Sequence, residues 1–315
     1  MTIQTLIQIG EPVQHRGIVL APLFPRQGPV AAYLTLDEAL AGGLRIRETS
    51  ESGSVPELVV ENPLDSRVLL YDGEELVGAK QNRILNVSVL VGAKSTLKIT
   101  VSCVEQGRWR HVTPAFAGGG NISHAQLRLR KAESLAAEPL ARGLAQAEVW
   151  DEVREKAARM HVASPTGASA DLYRAYEKDL RSLEKAFPAQ QGQCGAILAI
   201  GRQLCLDVIS RPDAFARLWP KLRAGYLLDA LEQLDGEQTP YSFVELLFSD
   251  AGRAEWSRQP SVGLGEDVRL RGRQLIGSGL ELEGELIQLS AFRSENGGRQ
   301  AFGRIARPSR RGQAA

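Results

Sequence analysis

The chain has 315 residues, long enough to bury a sizeable apolar core without disulfides or a structural metal. Its 43% hydrophobic and 24% charged residues exclude a disordered chain, a membrane protein and a disulfide-rich scaffold. Lys plus Arg number 38 against 37 Asp plus Glu, so no net field makes nucleic acid or an anionic membrane the default partner.

Residues 1 to about 115 read as short strands. Ile18-Val19-Leu20, Ala31-Ala32-Tyr33-Leu34, Leu58-Val59-Val60 and Val68-Leu69-Leu70-Tyr71 are brief apolar runs. Turn formers separate them, among them Arg26-Gln27-Gly28-Pro29, Gly42-Gly43, Glu51-Ser52-Gly53-Ser54 and Asn62-Pro63. Leu36 to Leu40 reads as one short helix, with Thr35 as N-cap and Gly42 or Gly43 as the stop. The clearest strand pair runs from Asn82 to Val104. Leu85, Val87, Val89 and Val91 alternate with Asn86, Ser88 and Leu90, and Leu97, Ile99, Val101 and Cys103 alternate with Lys98, Thr100 and Ser102. A hairpin through Gly92 to Thr96, with Val89 across from Ile99 and Asn86 across from Ser102, puts both apolar series on one face.

From about 122 to 188 the period is helical. His124 to Leu135 reads as one helix, Val149, Trp150, Val153, Ala157 and Met160 mark a second, and Leu172, Tyr173, Tyr176, Leu180, Leu183 and Phe187 a third. Ser169 is the expected cap of the last and Pro188 its stop. Further on, Ala196 to Ile200 and Leu204 to Val208 flank Gly201-Arg202-Gln203 as a hairpin. Helices follow from about Asp213 to Leu234 and from Tyr241 to Phe248. Three strands close the chain: Val268 to Leu270, Leu275 to Leu282 and Glu285 to Phe292, the last two joined at Glu283-Gly284. Residues 304–315 are basic and rich in small residues, which predicts a disordered tail. Strands and helices come in groups, not in strict alternation, and this order predicts an α+β fold.

Location and chemistry draw on fewer signals. Met1-Thr2-Ile3-Gln4 has no basic segment leading into an apolar run, so no signal peptide is expected, and no stretch approaches the roughly 18 apolar residues of a spanning helix. Cys103, Cys194 and Cys205 fit no zinc spacing and sit in apolar runs, which suits buried thiols in a reducing cytoplasm. His15, His111, His124 and His161 form no HxH, HExxH or zinc-spaced cluster, so the sequence offers no metal motif. It also has no GxSxG, Walker or GxGxxG pattern. The glycine run Gly118-Gly119-Gly120 therefore reads as a loop, and no cofactor is expected.

The densest polar cluster spans residues 71–83 and continues through Asn86, Ser102, Glu105 and Arg108. Glu75 and Glu105 are the acid–base candidates, provided that burial tunes a carboxyl. Lys80, Arg83 and Arg108 suit phosphate, and Asn82 and Asn86 suit ribose or amide groups. The plain alternative is the solvated face of a half-buried sheet. Against it stand Asn, Asp and Gly, which are poor strand formers. A second, weaker candidate is the loop Gln190 to Gly195.

The runs Asp72-Gly73-Glu74-Glu75-Leu76, Gly78-Ala79-Lys80-Gln81-Asn82-Arg83, Asn86 and Ser102 to Trp109 resemble the bacterial family of ADP-ribosylglycohydrolase- and rhodanese-phosphatase-associated proteins. Gln193-Cys194-Gly195, Asp207, Tyr226 to Ala230 and Gly277-Ser278 extend the likeness over about residues 10 to 295. The resemblance implies one integrated unit over residues 1–303, made of a β-rich region (1–115), a helical region (122–188) and a mixed region (190–303). By association it implies a nucleotide-like small-molecule ligand linked to ADP-ribose or NAD metabolism, and it supplies no catalytic residues. The competing expectation is a non-catalytic interaction module or homo-oligomer.

Overall fold

The computed structural model describes residues 2–28, 31–50, 53–137, 145–234 and 239–294. The expected tail over 304–315 lies outside the described residues, as do Pro29, Glu51 and Ser52 of two expected turns. The fold is α+β.

The largest sheet has nine strands and draws on both ends of the chain. Its order is Ile7–Ile9, Ile18–Pro25, Gly195–Ile200, Gln203–Ile209, Glu285–Arg293, Leu275–Leu282, Glu266–Arg271 and Glu255–Pro260, with Val13–His15 also on Ile18–Pro25, and every pairing is antiparallel. The central strands are buried nearly throughout because helices cover both faces. Alternate residues Ala196, Leu198 and Ile200 meet Phe215, Leu218 and Leu222 of the helix Pro212–Ala230, while Ile197 and Ala199 meet Val244 and Leu247 of Ser242–Arg253. Glu283 and Gly284 both have positive φ, at 54° and 81°, the backbone of a tight hairpin turn. Glu255–Pro260 was not expected from sequence. Its residues are mostly exposed, so it lacks an apolar run to mark it.

The second half of the β structure holds a six-stranded sheet, ordered Phe116–Ile122, Glu74–Gly78, Arg83–Leu85, Ser95–Cys103, Glu57–Asn62 and Arg45–Glu48. Beside it runs a three-stranded sheet of Val89–Val91, Val68–Leu70 and Leu34–Thr35, the last pair parallel. Here the expected hairpin is corrected. The parity was right but the partners were not: Val101 pairs with Leu85 and Cys103 with Arg83, whereas Val89 leaves the sheet to pair with Leu70. Ile99 pairs instead with Leu58. Asn86 to Ser88 form the break, and alternation alone does not show where a strand changes sheets. The glycine run is a second correction. Gly118 to Gly120 lie in the strand Phe116–Ile122 and do not form a loop.

The helices match expectation more closely. In Leu36–Ala41 the Thr35 N–H donates to the Glu38 carboxylate at 2.9 Å, one arm of a capping box, and Gly42 ends the helix. The third expected helix is split at Tyr176 into Ser169–Ala175 and Glu177–Glu184, and Ser169 is its first residue, not its cap.

A buried ionic hub joins the two halves. Arg128, on the helix Ala125–Ala137, donates through both terminal nitrogens to Asp207 (2.6 and 3.0 Å) and to Ser290 Oγ (2.7 Å), all in or against the large sheet. Its Nε lies 3.4 Å from Asp72, which also accepts from Lys131, and Tyr71 Oη donates to Asp207. These groups are almost fully buried, and each charge has its counter-charge in contact.

Candidate functional site

The strand Glu74–Gly78 turns back through residues 79–82 into Arg83–Leu85. Alternation along it sends the two adjacent glutamates in opposite directions. Glu74 accepts from Lys221 Nζ at 2.8 Å, inside the protein. Glu75 turns the other way, toward Asn82, whose Nδ2 donates to Glu75 Oε1 at 3.3 Å. Asn121 also stands near enough to favour the ionised form of Glu75. Across from Glu75 runs the edge strand with the glycines. A Cβ on Gly119 would stand 2.7 Å from Glu75 Cβ, so only glycine lets this strand approach so closely.

Glu105 follows the strand Ser95–Cys103. Its Oε2 accepts from the Asn82 backbone N–H at 3.1 Å and from Arg108 Nε at 2.8 Å, and its Oε1 accepts from Thr166 Oγ1 at 3.2 Å. Arg108 also donates to Asn82 Oδ1 (3.0 Å) and to the Ala79 carbonyl (3.0 Å). That carbonyl belongs to a residue at φ 41°, a conformation costly for alanine. Arg108, the Val112 N–H on the same carbonyl and Thr113 Oγ1 on the Ala79 N–H hold the turn there.

The two carboxyls are displaced in opposite directions. Burial pushes Glu75 from 4.5 up to about 7, against the lowering by Asn82 and Asn121, and the Glu105 charge adds to the rise. Burial also pushes on Glu105, but Arg108, the Asn82 N–H and Thr166 together outweigh it and hold this carboxyl below the ordinary value. One asparagine thus bridges a carboxyl that resists ionising and one that favours it.

The structure therefore brings Glu75, Asn82, Glu105 and Arg108 together by direct hydrogen bonds. Lys80 and Arg83 form a neighbouring pair. Both lie within 6 Å of the ring of Trp109, which is 49% exposed (5.2 Å for Lys80 Nζ, 5.8 Å for the Arg83 guanidinium), and Arg83 donates to Gln81 at 2.9 Å. Asn86 stands apart, accepting from Ser102 Oγ at 2.7 Å. In the second candidate loop, Gln193 accepts from the Gln190 N–H and donates to the Gly195 carbonyl, which closes the loop on itself. A cavity of about 380 Å³ lies beyond Gln106, and none of Glu75, Asn82, Glu105 and Arg108 lines it. Gln106, Gly167, Ala168 and Leu172 line it, and an isolated bridge pairs Glu105 with Ala168.

Sequence reasoning missed Asn121 and Thr166. Asn121 directly follows the glycine run, a usable signal, whereas Thr166 is 61 residues from Glu105 and no local pattern connects them. It also missed the charged partners of the hub, although Asp207 interrupts an apolar run and so marks a buried charge. His124 is fully buried with Nε2 3.3 Å from Glu152 and makes no side-chain cap. Among the described residues no group of three or more His, Cys, Asp or Glu is placed to hold a metal ion, and no helix is long and apolar enough to cross a membrane.

The model of the ARG and Rhodanese-Phosphatase-superfamily-associated Protein (ARPP-1) domain matches residues 6–292. No curated protein and no solved structure matches the chain.

Proposed function

The chain belongs to the ARPP-1 family, and from that premise we propose that it acts on a nucleotide-like ligand linked to ADP-ribose, with Glu75 as proton donor and Glu105 as the ionised partner. The family's association with ADP-ribosylglycohydrolase and rhodanese-phosphatase supplies the ligand class. The observation that carries the chemistry is Asn82 bridging two buried carboxyls, Glu75 with no cation in contact and Glu105 held by Arg108, an arrangement that pushes the first up and the second down and so suits an acid and a carboxylate side by side. A glutamate that titrates near 7 can hold its proton until a leaving oxygen or nitrogen needs it. Glu105, kept charged, can stabilise the positive charge that develops on a ribose ring as that bond breaks. Arg108 acts by positioning, since its donors already hold Glu105, Asn82 and the Ala79 carbonyl. Phosphate contacts fall to Lys80 beside Trp109, whose exposed ring offers a stacking face, while the fully buried Arg83 guanidinium packs against that ring. The cavity beyond Gln106 gives the remainder of the ligand a place.

Melting curves test this reading. ADP-ribose or NAD at millimolar concentration should raise the melting temperature, and Arg108→Ala, which frees Glu105 and the turn, should diminish the rise. No rise with either compound would count against the site.

The saturation of Arg108 and Asn82 by internal partners favours a second reading, a non-catalytic interaction or oligomer-forming module. A stable complex by light scattering that persists in Glu75→Gln and Glu105→Gln, with no response to nucleotides, would select it.

A further inference from the structure

A second cavity, of about 370 Å³, lies on the nine-stranded sheet away from the carboxyl pair. The helix Ser242–Arg253 supplies one wall. Phe243, Leu246, Asp250 and Arg253 recur at spacings of three, four and three and so share one helical face. Arg273, in the turn before Leu275–Leu282, and Arg293, at the end of Glu285–Arg293, supply the other wall. Many of the described arginines are paired with carboxylates, but Arg253, Arg273 and Arg293 have no carboxylate partner among the described residues. The one acid in the lining is already engaged: Asp250 accepts from the backbone N–H groups of Arg273 (3.4 Å) and Gln274 (3.1 Å) and so holds the Arg273 turn against the helix. Three guanidiniums and one carboxylate leave a surplus of two positive charges among the described residues of the lining.

The apolar part is equally unusual. Leu246 is 61% exposed, the most exposed large hydrophobic residue among those described. It stands beside Phe243, and the Arg293 guanidinium lies 5.7 Å from the Phe243 ring centroid. An uncovered apolar wall next to unpaired guanidiniums is complementary to a molecule with one flat apolar end and one multiply charged anionic end. The volume falls within the roughly 300–1,000 Å³ usual for small-molecule sites. The balanced charge of the whole chain gives no extended basic track for a nucleic-acid backbone.

We propose that this cavity binds a nucleoside diphosphate group, with Arg253, Arg273 and Arg293 on the phosphates and Phe243 and Leu246 against the base. The site is separate from the carboxyl pair and stands whether or not that pair is catalytic.

Calorimetric titration of the full chain with ADP, pyrophosphate and adenosine tests it. ADP should bind, pyrophosphate more weakly, and adenosine weakest. Arg273→Glu and Leu246→Asp, both at exposed positions, should each weaken ADP binding by about tenfold or more. Lys178→Glu, an exposed charge reversal elsewhere, should leave it unchanged. Any of these results would overturn the assignment: no heat from ADP or pyrophosphate at about 5 mM, a concentration that reveals even millimolar affinity; equal weakening by Lys178→Glu; or binding lost in Glu75→Gln but kept in Arg273→Glu. Tighter binding of single-stranded RNA than of ADP would likewise replace a pocket with general surface charge.

Discussion

Replacing Glu75 by glutamine should make the protein relatively more stable as pH rises. Because the folded state lifts this carboxyl from 4.5 to about 7, folding favours its protonated form. The stability this contributes is fully present below pH 4.5 and is lost as pH climbs through about 7, since the unfolded chain ionises first. At about 1.4 kcal/mol for each tenfold change in proton affinity, the interval amounts to about 3 kcal/mol. The glutamine of the Glu75→Gln variant cannot ionise and so escapes this loss. Its amide carries a fixed packing cost, so the informative quantity is how the difference between the two proteins changes with pH. Urea unfolding of wild type and Glu75→Gln from about pH 4.5 to 8 should show that difference moving toward the variant by about 3 kcal/mol, with most of the change below about pH 7. A difference constant to within about 0.5 kcal/mol would mean that Glu75 is not held protonated by burial, and the acid role would fall with it.

Three further perturbations follow from the geometry. Gly119→Ala places a methyl 2.7 Å from Glu75 Cβ and should cost about 1–3 kcal/mol in urea unfolding while shifting the Glu75 titration, which carboxyl-resolved NMR would follow. Arg108→Ala removes the main partner that holds Glu105 ionised, so the same NMR titration should show the Glu105 carboxyl moving upward. Arg128→Met leaves Asp207 and Asp72 buried with fewer counter-charges and should cost about 3–5 kcal/mol, the penalty of stranding a buried charge; a loss under about 1 kcal/mol would mean that the hub does not carry load between the sheets.

The parts legible in the sequence were those with short-range causes. The capping residue Thr35, the hairpin at Glu283-Gly284 and the apolar strands around Gly201 each follow from a few adjacent residues. The hairpin from Asn82 to Val104 shows the limit. Its alternation fixed which residues faced the core, but nothing local showed that the first strand breaks at Asn86 and sends Val89 to another sheet. The carboxyl cluster was partly legible because Glu75, Asn82, Glu105 and Arg108 come from two nearby stretches and were conspicuous as polar residues in strand territory. Thr166 was not, since only the tertiary fold brings it to Glu105, and Asn121 was marked only by the glycine run before it. The hub was the hardest to read: Arg128 and Lys131 on a helix look like a solvated face until Asp72 and Asp207 from distant strands meet them.

The most direct test of the proposed chemistry is product formation from ADP-ribose and from NAD across about pH 5 to 9, with wild type and Glu75→Gln compared under saturating ligand. The account predicts turnover that declines as pH rises through about 7, where Glu75 loses its proton, and a fall of about 100-fold or more in the variant. Turnover unchanged by Glu75→Gln, or no product from either compound at any pH, would contradict it.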